Sequence, residues 1–115
     1  MEHKIEYYSN GNKQVESYYE NGEFHNLNGP ARIWYYENGN KTYEVYWING
    51  KHHNLNGPAI IWYFENGNKQ YEQYYLFDIE IPKENYYDLI ESIDVEYLEQ
   101  MVVMKYGTWN KILPK

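Results

Sequence analysis

A 28-residue repeat constrains the fold of this chain more than any other feature of its sequence. Residues 21–42 return with few changes at 49–70, and both copies contain the segment HNLNGPA. A more divergent first copy aligns residues 5–13 with 33–41 and 61–69. Self-similarity at a fixed period is typical of repeat proteins, in which each unit buries its apolar face against its neighbours. We therefore predict an array of three similar units.

Turn signals divide each copy into two strands. The sequence contains five Asn-Gly dipeptides and two Asn-Gly-Pro turns. Asn-Gly between apolar runs is a strong signal for a β-hairpin, because both residues tolerate a positive φ. Pro30 and Pro58 each open a strand, where the missing N–H does no harm. We predict six short strands, near residues 4–8, 14–20, 31–36, 41–48, 59–64 and 69–76.

Alternation of side chains along these strands predicts two different faces. We expect the buried face to carry apolar residues that recur at equivalent positions, among them Ile33, Ile61, Tyr43 and Tyr71. The opposite face carries a row of glutamates, which belongs in water because an unpaired buried carboxylate is costly. Aromatic residues accompany the glutamates on this mixed face. Its main members are Glu16, Glu44, Glu72, Tyr18, Tyr46, Tyr74, Trp34 and Trp62.

After Leu76 the pattern changes from strand to helix. Pro82 suits the start of a helix over residues 83–92. Asp94 predicts the N-cap of a second helix, and Gly107 predicts its end. The apolar residues at helical spacing are Tyr86, Leu89, Ile90 and Ile93 in the first helix and Leu98, Met101 and Val102 in the second.

Together these elements predict a mainly β fold with an α-helical tail. Three stacked β-hairpin repeats form a curved antiparallel sheet, and two short C-terminal helices cap it. We place the repeats at 1–76, with units of about 1–20, 21–48 and 49–76, and the helical cap at 77–115. Repeat arrays need terminal units that shield their ends, which favours a cap. A pair of helices that binds a partner is the alternative.

The charge of the chain limits its partners. The formal net charge is −7, and residues 77–115 hold eight acidic residues against four basic ones. Binding to a phosphate backbone draws on clustered Lys and Arg, so direct nucleic-acid binding is disfavoured. A basic protein partner is the natural complement. Since the sequence has no cysteine, no signal-peptide pattern at 1–6 and no apolar run of about 20 residues, we expect a cytoplasmic protein that does not bind membranes.

The order of motifs within a unit resembles a known repeat family. In residues 21–41 and 49–69, Asn-Gly is followed by His-Asn-Leu-Asn-Gly-Pro-Ala, an aromatic-rich strand and Glu-Asn-Gly-Asn-Lys. This order is similar to the MORN-repeat variants of bacterial proteins described as antitoxin-like and of phages and giant viruses. The resemblance covers residues 4–76. It implies a curved antiparallel sheet used for contact with proteins or membrane surfaces, with no catalytic residues to carry over.

Histidines and glutamates are the residues that could carry chemistry. His25 and His53 occupy equivalent positions one repeat apart, so we expect each imidazole to bond to a turn backbone and not to a shared metal. Glu16, Glu44 and Glu72 should lie two strands apart, or about 10 Å. That separation exceeds the range used by glycosidase pairs, and a single-layer sheet offers no water-excluding pocket. We expect no enzymatic activity, cofactor or metal.

These observations lead to a protein–protein interaction module as the preferred function. We interpret the chain as an inhibitor from a phage or mobile element, or as an antitoxin-like protein. It would occlude a nucleic-acid-handling defence protein or toxin, such as a CRISPR nuclease, through an acidic aromatic surface, since Tyr and Trp supply interface hot spots. The predicted contact residues are Glu16, Glu44, Glu72, Tyr18, Tyr46, Tyr74, Trp34 and Trp62. The alternatives are a carbohydrate-binding aromatic array and a structural homo-oligomer, such as a homodimer.

Overall fold

The computed structural model describes residues 1–92 and 94–107. Within these ranges the chain forms ten strands followed by two helices. The strands are β1 (Glu2–Tyr7), β2 (Lys13–Glu20), β3 (Glu23–Phe24), β4 (Arg32–Tyr35), β5 (Lys41–Val45), β6 (Trp47–Ile48), β7 (Lys51–His52), β8 (Ile60–Tyr63), β9 (Lys69–Leu76) and β10 (Ile79–Ile81). The helices are α1 (Lys83–Ser92) and α2 (Val95–Tyr106).

One antiparallel sheet contains most of these strands, so the predicted mainly β fold is confirmed. Its order is β1-β2-β4-β5-β8-β9-β10, with β3 beside β2. The six predicted strands correspond to β1, β2, β4, β5, β8 and β9. The strand predicted at 41–48 is interrupted after Val45, because Trp47 and Ile48 leave the main sheet to form a small hairpin with β7.

Three short strands, β3, β7 and β10, were not predicted. Each follows the turn at the end of one of the three long hairpins. Asn21 and Asn49 adopt positive φ angles of 52° and 48° and lead into β3 and β7. Phe77, 28 residues after Asn49, has the same conformation with φ 53°, and Asp78 follows with φ 68°. This turn joins β9 to β10. The hairpin array therefore continues to Ile81, although Phe-Asp replaces the Asn-Gly that marks the other turns.

A β-bulge in each unit determines which side chains share a face of the sheet. Near the turn of the second unit, Tyr35 lies opposite Lys41. The register shifts between Tyr35 and Trp34, so that Ile33 lies opposite Glu44. Residues directly opposite each other in an antiparallel pair point to the same side. Ile33 therefore shares its face with Glu44 and not with Tyr43. The same shift occurs in the other two hairpins.

The predicted composition of the two faces was therefore wrong. A shift of one residue moves a whole strand's side chains to the other side, and turn signals alone do not reveal it. The expectation that Ile33 and Ile61 share a face is confirmed, because both lie opposite Glu44. We name the two sides by their residues. The glutamate face carries Glu16, Glu44, Glu72, Ile33, Ile61, Tyr18, Tyr35, Tyr46, Tyr63 and Tyr74, and the tryptophan face carries Val15, Ser17, Arg32, Trp34, Tyr43, Val45, Ile60, Trp62, Tyr71 and Gln73.

The two helices cap the last hairpin, as predicted. Side chains of α1 and α2 join those of β9 and β10 in the largest apolar cluster, whose buried members are Tyr74, Leu76, Ile81, Tyr86, Leu89, Leu98 and Val102. The Asp94 carboxylate accepts a hydrogen bond from the Glu96 N–H over 3.3 Å, and Gly107 ends α2. Ile93, which was predicted at helical spacing with the first helix, lies outside the described residues. Among those residues, no helix is both long and apolar enough to cross a bilayer.

Candidate functional site

The glutamate face holds a row of carboxylates that the sheet largely removes from water. Glu16 is 7% exposed and Glu44 is 6% exposed. Each lies opposite an isoleucine of the neighbouring strand, and β4 separates the two glutamates. The predicted spacing of two strands is confirmed. The expectation that this row lies in water was wrong for both residues, because each carboxylate has protein partners that replace its hydration.

Hydrogen bonds from several side chains satisfy Glu16. The Tyr35 hydroxyl donates to it over 3.1 Å from the following unit, and the Tyr18 hydroxyl donates over 3.3 Å from the same strand. His3 Nε2 lies 2.7 Å and Lys13 Nζ lies 3.3 Å from its carboxylate oxygens. This set of donors keeps a buried charge stable.

Glu44 repeats this arrangement, whereas Glu72 has only part of it. The Tyr63 hydroxyl donates to Glu44 over 2.5 Å, and Lys41 Nζ pairs with it at 3.0 Å. Glu72 pairs with Lys69 at 3.4 Å, and its side chain remains 25% exposed. In the described part of the chain, no tyrosine hydroxyl reaches Glu72, because β9 pairs with β10 only at residues 74–76 and has no strand beyond it at residues 69–73.

The protonation states on this face follow from the same contacts. Burial alone would raise the pKa of Glu16, but hydrogen bonds from His3, Tyr35 and Lys13 outweigh burial and hold the pKa below its usual value. Burial and the nearby Glu16 charge raise the pKa of Tyr35 to about 12. Burial and Glu44 also raise the pKa of Tyr63. At neutral pH Glu16 is a charged hydrogen-bond acceptor, and Tyr35 and Tyr63 are neutral donors. These groups therefore form a structural network.

The eight predicted contact residues therefore do not form one surface. Glu16, Glu44, Glu72, Tyr18, Tyr46 and Tyr74 lie on the glutamate face, whereas Trp34 and Trp62 lie on the tryptophan face. Two of the glutamates and Tyr74 are buried, which leaves them little area for a partner. The register shift at the bulges is the reason for this correction.

A ladder of half-buried and exposed aromatic rings crosses the tryptophan face. Trp34 stacks on Tyr43 with ring centroids 6.1 Å apart, and Tyr43 packs against Trp62 at 4.7 Å. Tyr71 lies opposite Trp62 on the next strand. Trp62 is 37% exposed and Tyr71 is 57% exposed. The sequence analysis assigned Tyr43 and Tyr71 to the buried face. The tyrosine that recurs at this position in the second and third units was the sequence signal for the ladder.

The base of this ladder is packed against the sheet. Val15 and Val45 are buried on the tryptophan face despite its single-layer construction. The Arg32 guanidinium lies 5.0 Å from the ring centroids of both Phe24 and Trp34, within the range of a cation–π contact. The rings therefore stand on a rigid support and need little ordering before they contact a partner.

The exposed negative charge lies mainly on the tail and not in the glutamate row. All eight acidic residues from 77 to 107 are exposed. In α1, Glu84, Asp88 and Glu91 lie on one side because their spacing follows the helical repeat. The eight residues are Asp78, Glu80, Glu84, Asp88, Glu91, Asp94, Glu96 and Glu99.

The histidines of the repeats bond to turns, as predicted. His25 Nδ1 accepts a hydrogen bond from the Asn49 N–H over 2.9 Å, and His53 Nδ1 accepts one from the Phe77 N–H over 3.0 Å. Each imidazole thereby holds the left-handed turn of the following hairpin. Burial lowers the pKa of His53, which favours the neutral ring that this geometry requires. The described residues contain no group of three or more side chains arranged to hold a metal ion.

Comparisons with known proteins add no relative to this account. A scan against protein-family models and searches of curated proteins and of solved structures find no match to the chain.

Proposed function

We propose that this chain is a non-catalytic, MORN-like protein-binding module of the cytoplasm, whose tryptophan face contacts the partner. The observation that carries the proposal is the ladder of Trp34, Tyr43, Trp62 and Tyr71, in which Trp62 and Tyr71 are exposed. Large rigid aromatic side chains bury much area at a small entropic cost, which makes them typical interface anchors. The sequence resemblance to MORN-repeat variants supports the same class of function.

The partner that fits this chain best is a basic protein that handles nucleic acid. A net charge of −7, with eight exposed acidic residues on the tail, attracts a positively charged groove and repels a phosphate backbone. We propose that the chain is the product of a phage or mobile element, or an antitoxin, and that it occludes such a groove in a toxin or a defence nuclease. A CRISPR nuclease is one example of this partner class.

An inhibition assay tests the proposal. A panel of toxins and defence nucleases from the source cell, including its CRISPR nuclease with guide RNA, is mixed with the chain, and substrate cleavage is followed at rising salt. We expect stoichiometric inhibition of one enzyme that weakens steeply with salt, because charges exposed to solvent are screened beyond about 8 Å at physiological ionic strength. Absence of binding and inhibition across the panel contradicts this partner class.

Matched variants locate the contact on the chain. Trp62→Ala and Tyr71→Ala remove exposed rings of the ladder, and we expect each to weaken binding at least about tenfold, as loss of an interface hot spot does. Tyr87→Ala removes a ring of similar exposure from α1 and serves as the control. Full binding by Trp62→Ala and Tyr71→Ala would move the contact away from the tryptophan face. Binding of the unmodified chain to a glycan array and not to the enzyme panel would instead favour carbohydrate recognition, since sugars stack on exposed rings.

A second candidate function, structural self-assembly, is favoured by the open edges of the sheet. Among the described residues, β9 pairs only with β8 at positions 69–73, and β1 pairs only with β2. The equivalent edges of β2 and β5 pair with the first strand of the next unit. The β1 strand of a second copy matches that missing strand, since Ile5 would lie opposite Glu72 and Tyr7 could supply its absent hydroxyl donor. Such a head-to-tail contact extends the array and does not close a dimer.

Light scattering after size exclusion separates this candidate from a monomer. Self-assembly predicts a mass that rises with concentration above 14.1 kDa and a smaller rise in Tyr7→Phe. A constant monomer mass at all concentrations rules out the candidate and leaves the protein-binding function unaffected.

A further inference from the structure

Two loops of the repeat array have identical sequences. The first loop (25–31) and the second loop (53–59) both read HNLNGPA. In each, the side-chain amide of the first Asn bonds to the proline carbonyl, from Asn26 to Pro30 over 3.1 Å and from Asn54 to Pro58 over 2.9 Å. The same Asn accepts a hydrogen bond from the backbone two residues later in both loops. The two loops therefore have the same internal hydrogen bonds.

The second loop binds a phenol from the chain itself. The Tyr86 hydroxyl donates to the Asn54 carbonyl over 2.5 Å and accepts from the Gly57 N–H over 3.0 Å. The ring of Tyr86 packs on Tyr74 with centroids 4.7 Å apart, and Leu55 packs against the same cluster. Tyr86 is completely buried in this position.

The first loop presents the same groups without an occupant. Asn26, Leu27, Gly29 and Tyr46 are the counterparts of Asn54, Leu55, Gly57 and Tyr74 one unit earlier. They line a groove with a volume of about 480 Å³ between the two loops. Leu27 is 75% exposed, whereas Leu55 is partly buried. Within the described residues, neither the Asn26 carbonyl nor the Gly29 N–H has a hydrogen-bond partner.

We propose that this groove binds a tyrosine side chain of a protein partner. The phenol ring would pack against Tyr46 and Leu27, and its hydroxyl would bridge the Asn26 carbonyl and the Gly29 N–H, as Tyr86 does in the second loop. A phenyl ring lacks the hydroxyl and would leave both backbone groups unsatisfied. This site is a contact separate from the tryptophan face, and its ligand class does not depend on the identity of the partner.

An NMR titration of the ¹⁵N-labelled full chain with N-acetyl-tyrosinamide tests the site. We expect saturable shifts of the Gly29 and Leu27 amides, with a dissociation constant on the order of millimolar for so small a ligand. N-acetyl-phenylalaninamide should bind roughly fivefold more weakly, because it makes no hydroxyl hydrogen bond. The Gly57 amide should not shift, because Tyr86 already fills its site.

Variants of the first loop complete the test. Leu27→Ser changes a residue that is 75% exposed, so the fold should persist while binding weakens severalfold. Tyr46→Ala should weaken binding further, and Val95→Ser is the control at a distant exposed position. The proposal is overturned if the Gly29 amide does not shift, if the phenylalanine compound binds equally well, or if Leu27→Ser binds as tightly as the unmodified chain.

Discussion

The hydroxyl of Tyr63 donates a hydrogen bond to the buried carboxylate of Glu44 over 2.5 Å. One unit earlier, Tyr35 makes the equivalent bond to Glu16 over 3.1 Å. In both cases the tyrosine belongs to the unit that follows the glutamate in the array. These contacts couple neighbouring repeats in the way that interfaces couple the units of a solenoid. A glutamate row that composition alone would place in water is therefore part of the interface between repeats.

Removing the Tyr63 hydroxyl should destabilise the protein. Tyr63→Phe keeps the ring but leaves Glu44 without its closest donor, and hydrogen bonds to charged groups contribute about 1.5–3 kcal/mol. We expect a loss of that size in the free energy of unfolding measured with urea. Tyr71→Phe is the control, because Tyr71 is 57% exposed and its loss should stay within about 0.5 kcal/mol. Equal effects of the two substitutions would mean that the contact contributes nothing.

Acid should weaken the fold through Glu16. Although burial would raise its pKa, hydrogen bonds from His3, Tyr35 and Lys13 hold the pKa below the ordinary value of 4.5. The unfolded chain therefore takes up a proton at higher pH than the folded chain does, and the stabilisation by Glu16 is lost as pH falls below 4.5. Urea unfolding across this range should show a shallower decline in Glu16→Gln than in the unmodified chain. Parallel pH profiles for the two proteins would contradict this role.

A second pH dependence should arise from His53 nearer to neutrality. Burial lowers its pKa below the ordinary 6.5, against a weaker opposing effect of Glu99. Since the unfolded histidine binds a proton first, stability should be complete above 6.5 and fall as pH decreases towards the folded pKa. His53→Gln should flatten the stability profile below about pH 6.5. A profile of unchanged slope in this variant would show that His53 titrates normally in the fold.

Packing of the tail distinguishes a cap from a free binding element. Leu98 is 1% exposed within the cluster that joins α1 and α2 to the last hairpin. Leu98→Ala should cost about 2–5 kcal/mol in the free energy of unfolding, because it leaves a cavity in this cluster. Val95→Ala changes a residue of the same helix that is 64% exposed, and should cost no more than about 0.5 kcal/mol. If Leu98→Ala were as mild as Val95→Ala, the helices would not be packed as a cap.

Much of the architecture could be predicted because local signals determine it. Asn-Gly at fixed spacing marks hairpins, and Asp94 and Gly107 mark the ends of α2 through the hydrogen bonds and dihedral angles that such residues favour. The turn at Phe77 was not predicted, because its sequence lacks such a signal. Phenylalanine rarely adopts a positive φ, and it does so here because its ring packs against His53 and the tail. That support is tertiary and leaves no local signal.

The candidate site could be predicted only in part, because the faces depend on register. The repeated bulge places Glu44 beside Ile33, and nothing in the composition of the strand distinguishes this pairing from one with Tyr43. The burial of Glu44 depends on the Tyr63 hydroxyl, which lies beside it only in the folded array. Trp34 and Trp62 were predicted as contact residues, but Tyr43 and Tyr71, which share their face, were assigned to the buried face.

NMR contacts between side chains test which residues share each face of the sheet. We predict nuclear Overhauser contacts from the Tyr43 ring to the indoles of Trp34 and Trp62, and from the Tyr63 ring to the side chain of Glu44. Contacts between the Trp62 indole and the Glu44 side chain, with none between Trp62 and Tyr43, would contradict the register and remove the aromatic ladder on which the proposed function rests.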